Sequence, residues 1–188
     1  MKHKIGVIAE DDSDVQVANE LIKKISPRKE FVIRRFVGHG CGKLRSKCFQ
    51  WAIQLKNQGC SLLIVLHDLD DRVLTNLEAE LKRLLRPSPI ERHVIIIPIQ
   101  EIEAWLLSDH VAIQNALRLR RKFPRISNPQ AIADPKRMLG DLILSRSDKR
   151  KRYVVEDNQK IASHIELANI RRCSSFVPLE QFIRTHLV

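Results

Sequence analysis

The sequence predicts an α/β fold: a four-stranded, mainly parallel sheet flanked by helices, with a C-terminal helical extension. Three observations predict it. Short apolar runs alternate with stretches of helical spacing, and near-continuous apolar strands mark a parallel sheet covered on both faces. The strand pattern stops at Glu101, and helical spacing alone continues. The chain has 188 residues, 44% of them apolar but only 5% aromatic, so one domain with an extension can form a core of Ile, Leu and Val.

The elements follow in order. Residues 4–9 are an apolar run and predict the first strand. Val17, Ala18, Leu21, Ile22 and Ile25 repeat at helical spacing over 15–25, and Ser26-Pro27 stops that helix. Residues 31–37 are β-branched and aromatic, a second strand. The glycine-rich turn Gly38-His39-Gly40-Cys41-Gly42 precedes a helix that carries Leu44, Cys48, Ala52 and Leu55 on one face and ends at Gly59. A third strand is expected over 61–66, a Leu-lined helix over 73–85 and a fourth strand over 93–99. Further helices are expected over 102–109, 110–120, 135–145, 158–168 and 179–186. This organisation predicts an α/β core over 1–109 and a basic helical extension over 110–188, packed on the core.

Composition narrows the function. Lys and Arg number 33 against 22 Asp and Glu, giving a net charge of +11. Excess positive charge attracts polyanions, of which nucleic acid is the commonest in a cytoplasm. No apolar stretch reaches the length of a bilayer span, and the N-terminus lacks the apolar core of a signal peptide, so a cytoplasmic protein is expected. Cys41, Cys48, Cys60 and Cys173 match no common zinc spacing. His39, Cys41 and Cys48 together are a conceivable metal set, but reduced thiols are the simpler expectation.

The acidic residues carry the chemistry. In an open parallel sheet, ligands bind beyond the carboxyl ends of the strands. Glu10-Asp11-Asp12-Ser13-Asp14 follows the first strand, Asp68-Leu69-Asp70-Asp71 the third, and Glu101-Ile102-Glu103 the fourth. Crowded carboxylates repel unless something neutralises them, and Mg²⁺ or Mn²⁺ with oxygen ligands does so. In an extended Asp68-x-Asp70 both side chains point the same way. A bland alternative is that residues of these clusters, such as Asp12, Ser13 or Asp71, simply cap the next helix. Three clusters at three strand ends favour a metal site made of Glu10, Asp14, Asp68, Asp70, Glu101 and Glu103.

Glu10 with Asp68-x-Asp70 resembles the Glu and Asp-x-Asp motifs of Toprim domains, a Rossmannoid family. The first Toprim motif often reads Glu-Gly-x-x-Asp. Glu10 and Asp14 match it, while Asp11 stands where the glycine would be. The segment Ile97-Pro98-Ile99-Gln100-Glu101-Ile102-Glu103-Ala104-Trp105-Leu106-Leu107, followed by Asp109, is similar to a group of short standalone Toprim-like bacterial proteins. Asp134-Pro135-Lys136, Lys160-Ile161-Ala162 and Ser174-Ser175-Phe176 extend that resemblance over nearly the whole chain. It implies phosphodiester chemistry, with Glu10, Asp68 and Asp70 catalytic and Mg²⁺ or Mn²⁺ as cofactor. The lone tyrosine, Tyr153, and the short length argue against a topoisomerase. Overcoming-lysogenization-defect nucleases join Toprim to an ATPase, which here would be a separate subunit, in anti-phage defence or nucleic-acid repair.

Two rival readings compete. Glu10-Asp11-Asp12 with Asp68 also looks like the acidic start and phosphoacceptor of a response-regulator receiver. Receivers need a hydroxyl residue after the fourth strand and a lysine after a fifth; here Gln100-Glu101 follows the fourth. The other rival is a non-catalytic nucleic-acid-binding partner subunit. Gly38 to Lys43 resembles a phosphate loop but is one residue short, and Leu44 replaces its Ser or Thr, which argues against nucleotide hydrolysis. For the phosphate backbone the candidates are Lys43, Arg45 and Lys47, then Arg120 and Arg121 beside Arg118, Lys122 and Arg125, then Lys149, Arg150, Lys151 and Arg152. The expected partner is nucleic acid, DNA ahead of RNA, with no membrane and with self-association open. His67 and Trp105 are expected to be packed rather than functional.

Overall fold

Strand β1 (His3–Ala9) forms the inner part of the sheet because Ile5, Val7, Ile8 and Ala9 are apolar and fully buried, while the polar His3 and Lys4 stay exposed at its start. The computed structural model describes residues 2–187, apart from the side chain of Cys41. β2 (Phe31–Val37), β3 (Leu62–Leu66) and β4 (His93–Ile96) complete a four-stranded sheet in the order β2-β1-β3-β4, with every pair parallel. Parallel neighbours place all four carboxyl ends at one edge.

Helices α1 (Asp12–Ile25), α2 (Cys41–Asn57) and α3 (Leu74–Leu84) are the crossovers. Strand alternation divides the core in two. Ile5, Val7, Leu62, Ile64 and Leu66 lie in one apolar cluster with Val17 and Leu21 of α1. Ile8, Leu63 and Val65 lie in the other, with Leu44 and Leu55 of α2 and Leu77 and Leu81 of α3. Gly6 permits the close approach of α2: a Cβ there would sit 2.9 Å from Leu55 Cδ1.

The rest of the chain adds α4 (Glu103–Leu106), α5 (His110–Leu117), α6 (Pro135–Arg146), α7 (Asp157–His164), α8 (Leu167–Ile170) and α9 (Val177–His186). These helices cover the α1 face. Trp105, Ile143, Ile161, Phe176 and Ile183 share one apolar cluster with the sheet. Trp105 is fully buried, edge-on to Phe176 at 5.5 Å, and its Nε1 donates to Ser175 Oγ at 2.8 Å. It is a core anchor, as expected.

Several expected boundaries move, each for a local reason. The fourth strand ends at Ile96 rather than residue 99, because Pro98 has no N–H to give a ladder. Leu69 N still bonds Pro98 O at 3.1 Å, so the two chains run on side by side. The expected 102–109 helix is the short α4, because Asp109 caps α5 instead, its carboxylate accepting from Val111 N and Ala112 N. α5 stops at Leu117 rather than 120 because Arg118 is left-handed, with φ 50°. The expected 158–168 helix breaks at Ile165, where the backbone is extended. There Asp109 Oδ2 takes Glu166 N at 2.9 Å.

Candidate functional site

The first carboxylate sits where β1 gives way to α1. Asp11, rather than Asp12 or Ser13, is the N-cap, and a capping box ties its backbone N–H to Asp14 Oδ2 at 2.9 Å. That box turns Asp14 inward, where it is buried. Burial, then the charges of Glu103, Asp11 and Glu10, push its carboxyl up to about 7. Glu10 bridges two strand ends. Its Oε1 accepts from Asp68 N at 3.1 Å and lies 2.8 Å from His67 Nδ1. The same Nδ1 is 2.7 Å from the Asp68 carbonyl. Both neighbours are acceptors, so Nδ1 carries the ring proton.

Asp68 is the most constrained of the set. Its Oδ1 is buried with no hydrogen-bond partner among the described residues, and so is His67 Nε2. Burial, then Asp14, Glu103, Glu10 and Asp70, hold its carboxyl well above the usual range. Asp70 is exposed and left-handed, φ 49°, its N–H bonded to Gln100 O at 3.0 Å. Burial and Glu10 also raise its carboxyl. Gln100 at φ 62° and His39 at φ 50° give two more of the loops at this edge a left-handed residue as well. Such conformations cluster where loops are held for function.

Glu103 lies on the opposite side of the cluster, 4% exposed. Its Oε1 accepts from Tyr153 Oη at 2.9 Å and from Asn158 Nδ2 at 3.1 Å. Asn158 Nδ2 also donates to Ser13 Oγ at 3.0 Å, and its Oδ1 lies 2.7 Å from Tyr153 Oη. Burial, then Glu103, pushes the Tyr153 phenol up, so it remains a donor. Glu101 is set apart from this network. Its Oε2 accepts from Lys136 N at 3.0 Å, at the start of α6. Burial, then its acidic neighbours Glu103 and Asp134, raise its carboxyl.

Glu10, Asp14, Asp68, Asp70 and Glu103 therefore form one electrostatically coupled set. Among the described residues no three His, Cys, Asp or Glu side chains are drawn together as ligands of one ion. Instead Glu10, Asp14 and Glu103 are tied to protein donors. A cleft of about 740 Å³ opens beside the set, lined by Glu101 and Tyr153. A smaller one of about 280 Å³ is lined by Asp11, Ser13 and His39.

The family model described as Domain of unknown function (DUF4276) matches residues 9–184. The chain belongs to this family. No curated protein and no solved structure gives a significant match. The match to the DUF4276 model runs from the end of β1 into α9, so it spans the carboxylates and the helical extension together.

In this DUF4276 chain the basic candidates are spread out. Lys43 and Lys47 are exposed on α2, while Arg45 pairs with Glu80 at 3.3 Å. Arg120 is exposed, and Arg121 reaches Asp148 at 2.7 Å. Lys149 and Arg150 are exposed on the loop after α6, Lys151 binds the buried Asp157 at 3.3 Å, and Arg152 lines the larger cleft. Of these, Arg152 shares the larger cleft with Glu101, and Lys43 lies in the first turn of α2, just past the end of β2. Cys48, Cys60 and Cys173 are buried free thiols, with Cys48 and Cys173 pushed up to about 12 by burial. His39 is exposed, and the Cys41 side chain proposed to join it lies outside the described residues. No helix of the described residues is long and apolar enough to cross a membrane. Sequence reasoning missed Tyr153 and Asn158 as partners of Glu103. Their only signal was the isolated polar Asn158 among helical apolar positions.

Proposed function

We propose that this protein is a metal-dependent nuclease that hydrolyses phosphodiester bonds in DNA or RNA. The observation that carries the reading is Asp68: a buried carboxylate oxygen without a partner, at a strand end, among four other carboxylates. Buried polar groups are nearly always satisfied, so an orphan oxygen calls for a missing partner. The donor set fits a hard divalent cation, being all oxygen and too crowded to ionise freely on its own. Glu10, Asp68 and Asp70 would hold Mg²⁺ or Mn²⁺, with Asp14, Glu101 and Glu103 as further donors. Bound there, such an ion neutralises phosphate charge and raises the nucleophilicity of water.

The chain's own residues supply the rest. His67 and Asp68 N fix one oxygen of Glu10, leaving Oε2 with no hydrogen-bond partner among the described residues, placed either to ligate the metal or to serve as general base. Arg152 and the exposed Lys149 and Arg150 hold the phosphate backbone. The reading agrees with a Toprim-like active centre, and the four-stranded sheet favours it over a receiver, which carries its lysine after a fifth strand. A separate ATPase subunit, a cytoplasmic setting and a role in defence or repair belong to the same proposal, as does self-association. Buried free thiols agree with a reducing compartment.

The test is cleavage of labelled single- and double-stranded DNA and RNA with Mg²⁺ or Mn²⁺. Cleavage should require metal and be abolished by Glu10→Gln, with the melting temperature and nucleic-acid binding retained. Glutamine can still accept from His67 and Asp68 N, so the fold is spared. Unchanged cleavage by Glu10→Gln would remove the catalytic assignment. Binding without cleavage, with and without an ATPase partner, would leave a non-catalytic subunit.

A further inference from the structure

The larger cleft runs between α6 and the segment 152–155. Its walls are mixed. Leu144, Val154 and Val155 supply apolar surface, and Gly140 leaves room where a Cβ would stand 3.8 Å from Tyr153. Its acids are already engaged. Glu101 accepts Lys136 N, Asp134 caps α6 through Arg137 N at 2.8 Å, and Asp141 lies 3.8 Å from Arg137. Lys136 and Arg152 also line it, and among the described residues neither forms an ion pair. Beside Tyr153, whose hydroxyl donates to Glu103, the cleft meets the carboxylate set. Val155 lines both this cleft and the smaller one past Asp11 and Ser13.

An apolar wall, two cations outside any ion pair among the described residues and a volume of about 740 Å³ suit a flat apolar group joined to an anion. Ligand cavities span roughly 300–1,000 Å³, which accommodates one nucleotide. We propose that this cleft is a subsite for an unpaired nucleotide of a single strand, the base against Leu144 and Val154 and the phosphate between Lys136 and Arg152. A paired base is stacked inside its duplex and cannot enter. The proposal rests on the nuclease reading and deepens it: the substrate is single-stranded, or frayed at the bond cut, and the path past Val155 carries the chain along the acidic strand ends.

The test separates this subsite from catalysis by measuring binding in chelator. Short single strands of DNA and RNA and the matching duplex are titrated with wild type, Gly140→Leu and Arg152→Glu. A Cβ at 140 meets only Tyr153, in ordinary contact at 3.8 Å, so leucine there extends into the cleft and suits a helix, and the exposed Arg152 leaves the core untouched. Each variant should weaken single-strand binding by about tenfold or more, of the order of one lost base contact. In Gly140→Leu duplex binding should change less than about twofold, because it uses surface phosphate contacts that this variant leaves in place. Unchanged single-strand affinity in Gly140→Leu, or equal weakening of both substrates, overturns the subsite. Discrimination by these variants without any metal-dependent cleavage keeps the subsite and removes the nuclease reading. Cleavage of single strands that depends on Asp68 but is indifferent to Gly140→Leu does the reverse.

Discussion

Asp14 shows how a capping residue becomes a chemical one. The box with Asp11 is a local sequence device, yet it delivers a carboxyl into a buried, negatively charged place. Its folded-state value of about 7 exceeds the ordinary 3.8, so between these pH values the native state binds more protons than the unfolded state. Stability from protonated Asp14 is therefore full below about pH 4 and is lost as pH rises towards 7. Asp68 is shifted the same way and adds to the loss. In chelator, urea unfolding should show wild type losing stability against Asp14→Asn across this window, by a few kcal/mol above pH 7. Asparagine still accepts from Asp11 N, so the cap survives. Parallel pH profiles for the two proteins would mean that Asp14 is not buried as a strained acid. Glu10, Asp14 and Asp68 were legible because strand ends are legible. Tyr153 and Asn158 were not, since they meet Glu103 from 50 and 55 residues away, and no local pattern encodes that pairing.

Elements were legible where one periodicity ran unopposed, as in β2 and α3. They blurred where a single side chain served two elements. Asp109 caps α5 with Oδ1, while its Oδ2 holds Glu166 N and Asn169 Nδ2, both at 2.9 Å. Burial opposes ionisation there, but these bonds together hold its carboxyl below the usual range. The other end of α5 carries a cost of its own. Arg118 is left-handed, a conformation glycine adopts without a Cβ penalty. Arg118→Gly should raise stability by about 0.5–1 kcal/mol, read as a higher urea midpoint at unchanged slope. A lower midpoint would show that the arginine side chain holds the turn by contacts worth more than that strain.

At the scale of the molecule the two apolar faces of the sheet were foreseen, but not how the extension finishes one of them. Val17, Ile64, Ile161, Phe176 and Ile183 share a cluster, so the extension shields α1 and the sheet together. Alternation along a strand predicts which residues face each way; it does not say which distant helix arrives to cover them. The charge, by contrast, was fully legible, and it makes a measurable claim. Binding to nucleic acid should weaken linearly in log affinity against log salt, with a slope near −0.9 per duplex phosphate contacted. Lys149→Glu with Arg150→Glu, both exposed, should flatten that slope by about two contacts and leave stability unchanged. An unaltered slope would place the phosphate contacts elsewhere on the surface.

The bond from Ser26 Oγ to Leu187 O joins the stop of the first helix to a residue 161 positions later. During synthesis, the sheet and its acidic edge leave the ribosome long before the helices that cover them. Glu103 gains its Tyr153 and Asn158 ties later still, and the α1 face stays open until Ile183 and Leu187 arrive. Contacts of such long sequence separation form late. A nascent chain of this protein thus carries its carboxylates before the frame that sets them has formed.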